Sequence, residues 1–287
     1  MPLLKDLVWD KTPTFGLQDL FRDTVNVSRL AISVAGIHRI PSSLMAQITS
    51  YKAKYTSRST LLKDLSAAAN LVECDIDFGG DLHGSVVLPR LRRLAAGGTL
   101  LGHMVAPAMQ ELCVTHHIDH VLPFLQRSGC ALTRLMLFQC TGSGRNIIRL
   151  LRGIPSLTIL EIDFISFTTS KALIPALTIP PDSTGSDVEY LCPYLVSLSW
   201  GDRDDRMDYP AFVAMADMLR SRWRIPGQKS PSLRLVRIYL NQVRMRTGGK
   251  WMQWMQVLAD EGMDVAVVQS TRDYPPTDTW RHGWIVI

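Results

Sequence analysis

The chain has no uninterrupted apolar stretch near the ~20 residues of a membrane span, and its Met1 end (MPLLKDLVWD) has no basic n-region followed by an apolar h-region. These absences exclude a spanning helix and a secretory leader from the reading and place the expected work inside the cell, in cytoplasm or nucleus. Cysteine is scarce as well: five residues, an odd number spread over a long chain with no CxxC pair. That pattern predicts buried thiols in a reducing compartment rather than a disulfide framework, and leaves the sequon at Asn26-Val27-Ser28 idle. No paired-carboxylate or Ser-His-Asp signature stands out, and no cofactor motif is present. What the chain does have is apolar material. With 46% hydrophobic and 20% charged residues over 287 positions, it holds ample material for a folded core.

That material is organised around Ala131 to Phe164, ALTRLMLFQCTGSGRNIIRLLRGIPSLTILEIDF, where a strand pattern, a turn, a helix pattern and a second strand pattern follow one another. Leu132, Leu135, Leu137 and Cys140 stand at offsets 0, +3, +5 and +8, the L-x-x-L-x-L-x-x-N/C spacing of a leucine-rich repeat. Slots +3 and +5 lie two apart on one face of a short strand and point inward, while the +8 side chain can turn into the bend and bond backbone groups. After the turn, Ile147, Ile148, Leu150 and Leu151 give a helix an apolar face to lay on the strand layer. Such a unit must stack on copies of itself to bury that face.

The same ruler finds anchors at Leu4, Val27, Ile48, Leu71, Leu91, Met109, Leu132, Leu157, Leu195 and Leu233, and none of the +3 or +5 slots is charged. The +8 slots are Thr12, Ala35, Thr56, Gly79, Thr99, His117, Cys140, Ile165, Arg203 and Asn241, of which only Cys140 and Asn241 match the consensus. Helix patterns are predicted over Leu17–Arg22, Leu61–Ala69, Ile118–Ser128, Asn146–Arg152, Lys171–Leu177, Val188–Cys192 and Tyr209–Arg224, with Gly129 and Gly153 as stops. Leu88–Ala108 is too short and glycine-rich for a full helix and predicts an irregular return; Ile179–Gly185 predicts an exposed loop. Lys250–Glu261 sets Trp251, Trp254, Met255 and Leu258 on one helical face, followed by a last strand at Val265–Val268, together a closing cap. The expected architecture is a single α/β leucine-rich-repeat solenoid over residues 1–270, capped at about 250–270, with a curved parallel sheet on the concave face and helices or irregular turns on the convex face. Residues 271–287 have turn composition, the pattern of a mobile terminus, with Trp280 and Trp284 able to dock back.

The phrases LPFLQRSGCALTRLMLFQC, LLRGIPSLTILEI and YLCPYLVSLSWGDRDD resemble the repeat region of fungal F-box/leucine-rich-repeat proteins. The resemblance implies a non-enzymatic substrate receptor of a ubiquitin ligase: in that family a helical F-box docks on the Skp1 adaptor and the repeats recruit a protein substrate. No F-box is seen here. MPLLKDLVWDKTP already matches a repeat strand such as PYLVSLSWGDRD, so the chain by itself is expected not to bind Skp1, which would require an F-box supplied elsewhere.

Other chemistry has weaker footing. His116, His117 and His120 (HHIDH) are the metal candidate, since two histidines at i and i+4 on a helix can share an ion, and they carry the alternative of a metal-dependent enzyme. No Cys or Asp/Glu set completes that site at local spacing, so no metal is expected. Thr141–Arg145 (TGSGR) lacks the GK[ST] of a P-loop and occupies a strand-to-helix turn, Asp202–Asp208 lacks the glycine and spaced oxygens of a calcium loop, and Cys113 and Cys130 have no nucleophile motif. Charge is uneven: Asp202–Lys250 holds 11 Lys or Arg against 5 Asp, the rest 20 against 21. That leaves open a binder of acidic polymers, although no aromatic platform or nucleic-acid motif accompanies the excess, which reads as a solvated surface.

Strand alternation sends slots +2, +4 and +6 to the concave face, where a protein partner is expected. In the Leu71 repeat these are Glu73, Asp75 and Asp77, an acidic column. In the Leu132 and Leu157 repeats they are Arg134, Met136, Phe138, Ile159, Glu161 and Asp163, with Met136, Phe138 and Ile159 expected as an exposed apolar cluster rimmed by charge.

Overall fold

The computed structural model describes residues 5–9, 27–32, 40–55, 61–78, 82–140, 142–163, 166–180, 190–201, 209–224, 233–241 and 249–270. The chain divides into two compact units, Met1–Leu132 and Thr133–Ile287. Both are α/β, each built on a parallel sheet. Among the described residues no helix is long and apolar enough to cross a membrane.

In the first unit the strands β1 (Asp6–Trp9), β2 (Arg29–Ile32), β3 (Ser50–Tyr55), β4 (Glu73–Phe78), β6 (Arg93–Gly97) and β8 (Glu111–Thr115) lie side by side in chain order, all parallel. Register aligns like slot with like: Leu7, Leu30, Tyr51, Cys74, Leu94 and Leu112 form one row. The +3 and +5 side chains from Leu30 to Val114 are buried, as are the anchors from Val27 to Leu132. Each junction is closed the same way. One carbonyl at slot +1 accepts two N–H groups, those of slots +1 and +2 in the next strand, as Lys5 does from Ser28 and Arg29 and Val72 from Arg92 and Arg93, at 2.8–3.2 Å throughout.

Returns in this unit are short: α1 (Ser42–Met45), α2 (Leu61–Ala67), α3 (Gly98–Leu101), a 3-10 turn at Ile118–His120 and α4 (Val121–Ser128). Gly129, at φ +61°, ends α4 with its N–H on the Leu125 carbonyl, the stop expected of it. The irregular return at Leu88–Ala108 takes a defined form: β5 (Val86–Val87) and β7 (Met104–Val105) pair as a separate parallel bridge, and α3 sits between. One turn of helix fits there because Gly98 lacks a Cβ, which would overlap the His117 carbonyl oxygen.

The second unit repeats the scheme with β9 (Arg134–Phe138), β10 (Ile159–Asp163), β11 (Ser197–Gly201), β12 (Leu235–Asn241) and β13 (Asp264–Ser270), again parallel and in chain order. Its +3 and +5 slots from Leu135 to Ile238 are buried, and the carbonyls of Thr133, Thr158 and Val196 make the same double junction. Its returns are longer helices: α5 (Gly144–Arg152), α6 (Phe167–Leu177), α7 (Tyr209–Trp223) and α8 (Gly249–Asp260). Ser143 and Ser166 cap α5 and α6, each side chain accepting an N–H 3.3 Å away. The glycine-rich stretch at Gly142–Arg145 is therefore a helix start.

One predicted helix is corrected. Of Val188–Cys192, the described part, Tyr190–Cys192, is not helical. Cys192 has φ +50°, and the Leu191 and Cys192 carbonyls are taken by the Arg222 guanidinium rather than by a helical ladder. Arg222 itself is 1% exposed, and its Nε donates to the Leu177 carbonyl at 2.6 Å. All five cysteines are free. Leu17–Arg22, the loop after Pro180, Thr141, Asp202–Asp208 and the Trp280 and Trp284 tail lie outside the described residues, as do most +8 slots and the side chains of Trp251 and Asn241.

Candidate binding face

In both units the face built from slots +2, +4 and +6 is opposite the packed core, and its side chains pair across strands. In the first unit the +2 row is Asp6, Arg29, Ser50, Glu73, Arg93 and Glu111. Arg93 lies between two carboxylates, 2.7 Å from Glu73 and 3.3 Å from Glu111, and Arg29 pairs with Asp6 at 3.7 Å. One row further along, Lys52 pairs with Asp75 at 3.7 Å. Glu73 and Asp75 therefore do not stand as a bare acidic column: each meets a cation on the adjacent strand, the sheet counterpart of helical i,i+4 pairing. The side chain of Asp77 lies outside the described residues.

In the second unit the +2, +4 and +6 positions are Arg134, Met136 and Phe138 on β9; Ile159, Glu161 and Asp163 on β10; Ser197, Ser199 and Gly201 on β11; Leu235, Arg237 and Tyr239 on β12. Arg134 reaches diagonally to Glu161, its Nε and a terminal nitrogen 3.1 and 3.0 Å from one carboxylate oxygen. Arg237 grips Asp264 of β13 with two nitrogens on two oxygens at 3.0 and 3.2 Å. That hydrogen bond holds the Asp264 carboxyl below the usual carboxylate range. Between these pairs sits Tyr239. Burial, and then the nearby Glu161 carboxylate, push its phenol above the ordinary value, with Arg237 opposing. A Cβ on Gly201 would overlap Asp163 Oδ1, so the Asp163 carboxylate lies across the bare backbone of β11.

The apolar cluster is not exposed as expected. Met136 is 3% and Phe138 5% exposed, and Ile159 is half-buried. Alternation decides which face a side chain takes, but not how deeply its neighbours cover it. Met136 stands opposite Glu161 and Phe138 opposite Asp163 in register, so charged side chains flank them where the expectation assumed open surface.

The chain matches no protein-family model, no curated protein and no solved structure.

The histidines do not share a helical face. β8 ends at Thr115, His116 has φ +66°, and Ile118–His120 is a 3-10 turn, so the i,i+4 geometry needed for a shared ion is lost. Among the described residues no group of three His, Cys, Asp or Glu is placed to hold a metal. Cys113 lies half-buried in the +4 row of β8, and burial raises the Cys130 thiol.

Among the described residues of the basic last third, four arginines are engaged. Arg220 stacks on the Trp254 ring at 4.8 Å, Arg222 is buried, Arg224 pairs with Glu261 at 3.4 Å, and Arg237 pairs with Asp264. Sequence reasoning missed Arg222, although a signal was there: it continues the Phe212, Met215, Ala216, Leu219 stripe at helical spacing. It missed Tyr239 too, which is simply the +6 slot of its repeat.

Proposed function

We propose that this chain is a leucine-rich-repeat module that binds a protein segment on the face formed by slots +2, +4 and +6. In this reading it is the substrate-recognition part of an F-box type receptor, with the F-box itself lying outside the chain. The observation that carries the proposal is the regularity of that face. Parallel strands in exact slot register hold charged and polar side chains in rows, cross-braced by pairs such as Glu73–Arg93–Glu111 and Arg134–Glu161, so their positions are set before a partner arrives. Ion pairs of this kind contribute little stability, and an array of them is better placed to give specificity than to hold the fold.

The test is partner capture from cell extract by the immobilised chain, comparing the parent with Arg93→Glu and with Arg237→Glu, each checked for folding by circular dichroism. The proposal expects specific captured proteins to be lost from at least one folded variant. An unchanged set from both would place the binding site off this face. Skp1 is not expected among proteins bound by the isolated chain.

A further inference from the structure

On the helix side of the second unit, away from the face just described, a cavity of about 300 Å³ opens among three segments: the end of α5, the end of α6, and the turn that leads into β11. Its size is at the lower limit of small-molecule pockets. Two of its walls are held by one buried group. The Arg222 guanidinium donates to the Leu177 carbonyl at the end of α6 and to the Leu191 and Cys192 carbonyls of the turn. A buried guanidinium is tolerated only where good hydrogen bonds offset its desolvation, so these bonds fix the segments against each other and the cavity exists before any ligand does.

The wall is mixed, with somewhat more apolar than polar surface. Leu151 and Leu191 supply apolar surface, and Pro155, Pro175, Pro180 and Pro193 supply more while having no N–H to offer. The Thr178 hydroxyl is already donating to the Ile174 carbonyl. Cys192 is a neutral thiol, its pKa raised to about 11 by burial. Three carbonyls at the two helix ends are answered as well: Gly153 N–H takes that of Leu150, Thr178 N–H that of Ile174, and Arg222 that of Leu177. Among the described lining residues, the Tyr190 hydroxyl and the Arg152 guanidinium are side-chain donors. Arg152 is exposed and has no ion-pair partner among the described residues.

A hollow of mixed lining, with proline and leucine surface on one side and Arg152 as its one cationic lining residue, is complementary to an amphipathic anion. We propose that this cavity binds a small carboxylic acid with an apolar body, its carboxylate on Arg152 and its body against the proline and leucine walls. The inference is independent of the partner-binding face.

The test uses the full chain and two probes of similar length, octanoate and octanamide, followed by isothermal titration calorimetry and by thermal shift. Octanoate is expected to bind saturably at one site and raise the melting temperature, and its affinity to fall at least tenfold in Arg152→Gln, which changes an exposed side chain and leaves the fold intact. Octanamide should bind the parent no better than octanoate binds that variant. A cavity-filling Ala176→Phe variant should lose octanoate while retaining its circular dichroism spectrum. Absence of saturable octanoate binding by the parent overturns the proposal, as does equal binding of the two probes or undiminished binding by Arg152→Gln. Displacement of octanoate by a peptide with an apolar C-terminal residue, at lower concentration than octanoate itself, would assign the site to a protein chain end instead.

Discussion

The two units follow one rule in their strands and different rules in everything between. Both place apolar side chains at +3 and +5 and close their junctions up to β12 with one carbonyl accepting two N–H groups, whether the chain returns through a four-residue helix such as α1 or a fifteen-residue helix such as α7. What must be constant in a stacked repeat is the short strand, because its neighbours on both sides depend on its register. The return path depends only on covering the inward row, so insertions collect there. The open faces differ too. The first unit's is cross-braced by exposed and half-buried ion pairs; the second's is more deeply covered, with Glu161 only 8% exposed beside Met136 and Phe138.

The strongest test of the shared rule is a charge in the same slot of each unit. Leu94→Asp and Leu135→Asp both place a carboxylate at a fully buried +3 position, and each is expected to cost about 3–5 kcal/mol in urea unfolding. If one variant melts with the parent, the slots are not equivalent and the comparison breaks.

Next comes a device that only the second unit shows among the described residues. Arg222→Met keeps much of the side-chain volume but strands the Leu177 and Leu191 carbonyls; the Cys192 carbonyl retains the Leu195 N–H. A loss of about 2–5 kcal/mol is expected, since unmet buried acceptors cost about 1–3 kcal/mol each. A neutral or stabilising result from thermal denaturation would show that Arg222 fills space rather than clamps the turn.

A milder contrast uses glycine. In Gly98→Ala the new methyl meets the His117 backbone carbonyl, which cannot move without shifting the turn, and about 1–3 kcal/mol should be lost. In Gly201→Ala it meets the end of the Asp163 side chain, which can swing aside, so the stability change should be smaller. Equal losses in chemical denaturation would mean that Asp163 is held as firmly as backbone.

The smallest effect belongs to the Arg237–Asp264 pair. Because the folded protein holds the Asp264 carboxyl below its ordinary value, the pair's contribution is present above the usual carboxylate range and is lost as pH falls through the lowered value. Asp264→Asn should therefore be slightly less stable than the parent at neutral pH and equal to it in acid. A gap that persists unchanged into acid would remove the ion pair as its cause.

Much of this was legible in the residues alone. The 0, +3, +5 spacing marks every strand of the stack up to β12, including that at Ile48, because a buried row two residues apart leaves a direct trace in sequence. Gly129 was a readable stop for the same kind of reason, since few other residues accept its left-handed conformation. Asp264–Ser270 was legible only as a shorter strand, and Val188–Cys192 was misread, because the fate of the Leu191 and Cys192 carbonyls rests on Arg222, 31 and 30 residues away in sequence. Local pattern thus determined the slots, the strand order and the face each side chain takes. Tertiary structure alone decided how deeply Met136 and Phe138 are covered, which carboxylate each guanidinium of the open face meets, and that a buried Arg222 shapes a cavity. Those outcomes depend on the distance and accessibility of groups brought together from different repeats, and neither quantity is written into any one stretch of chain.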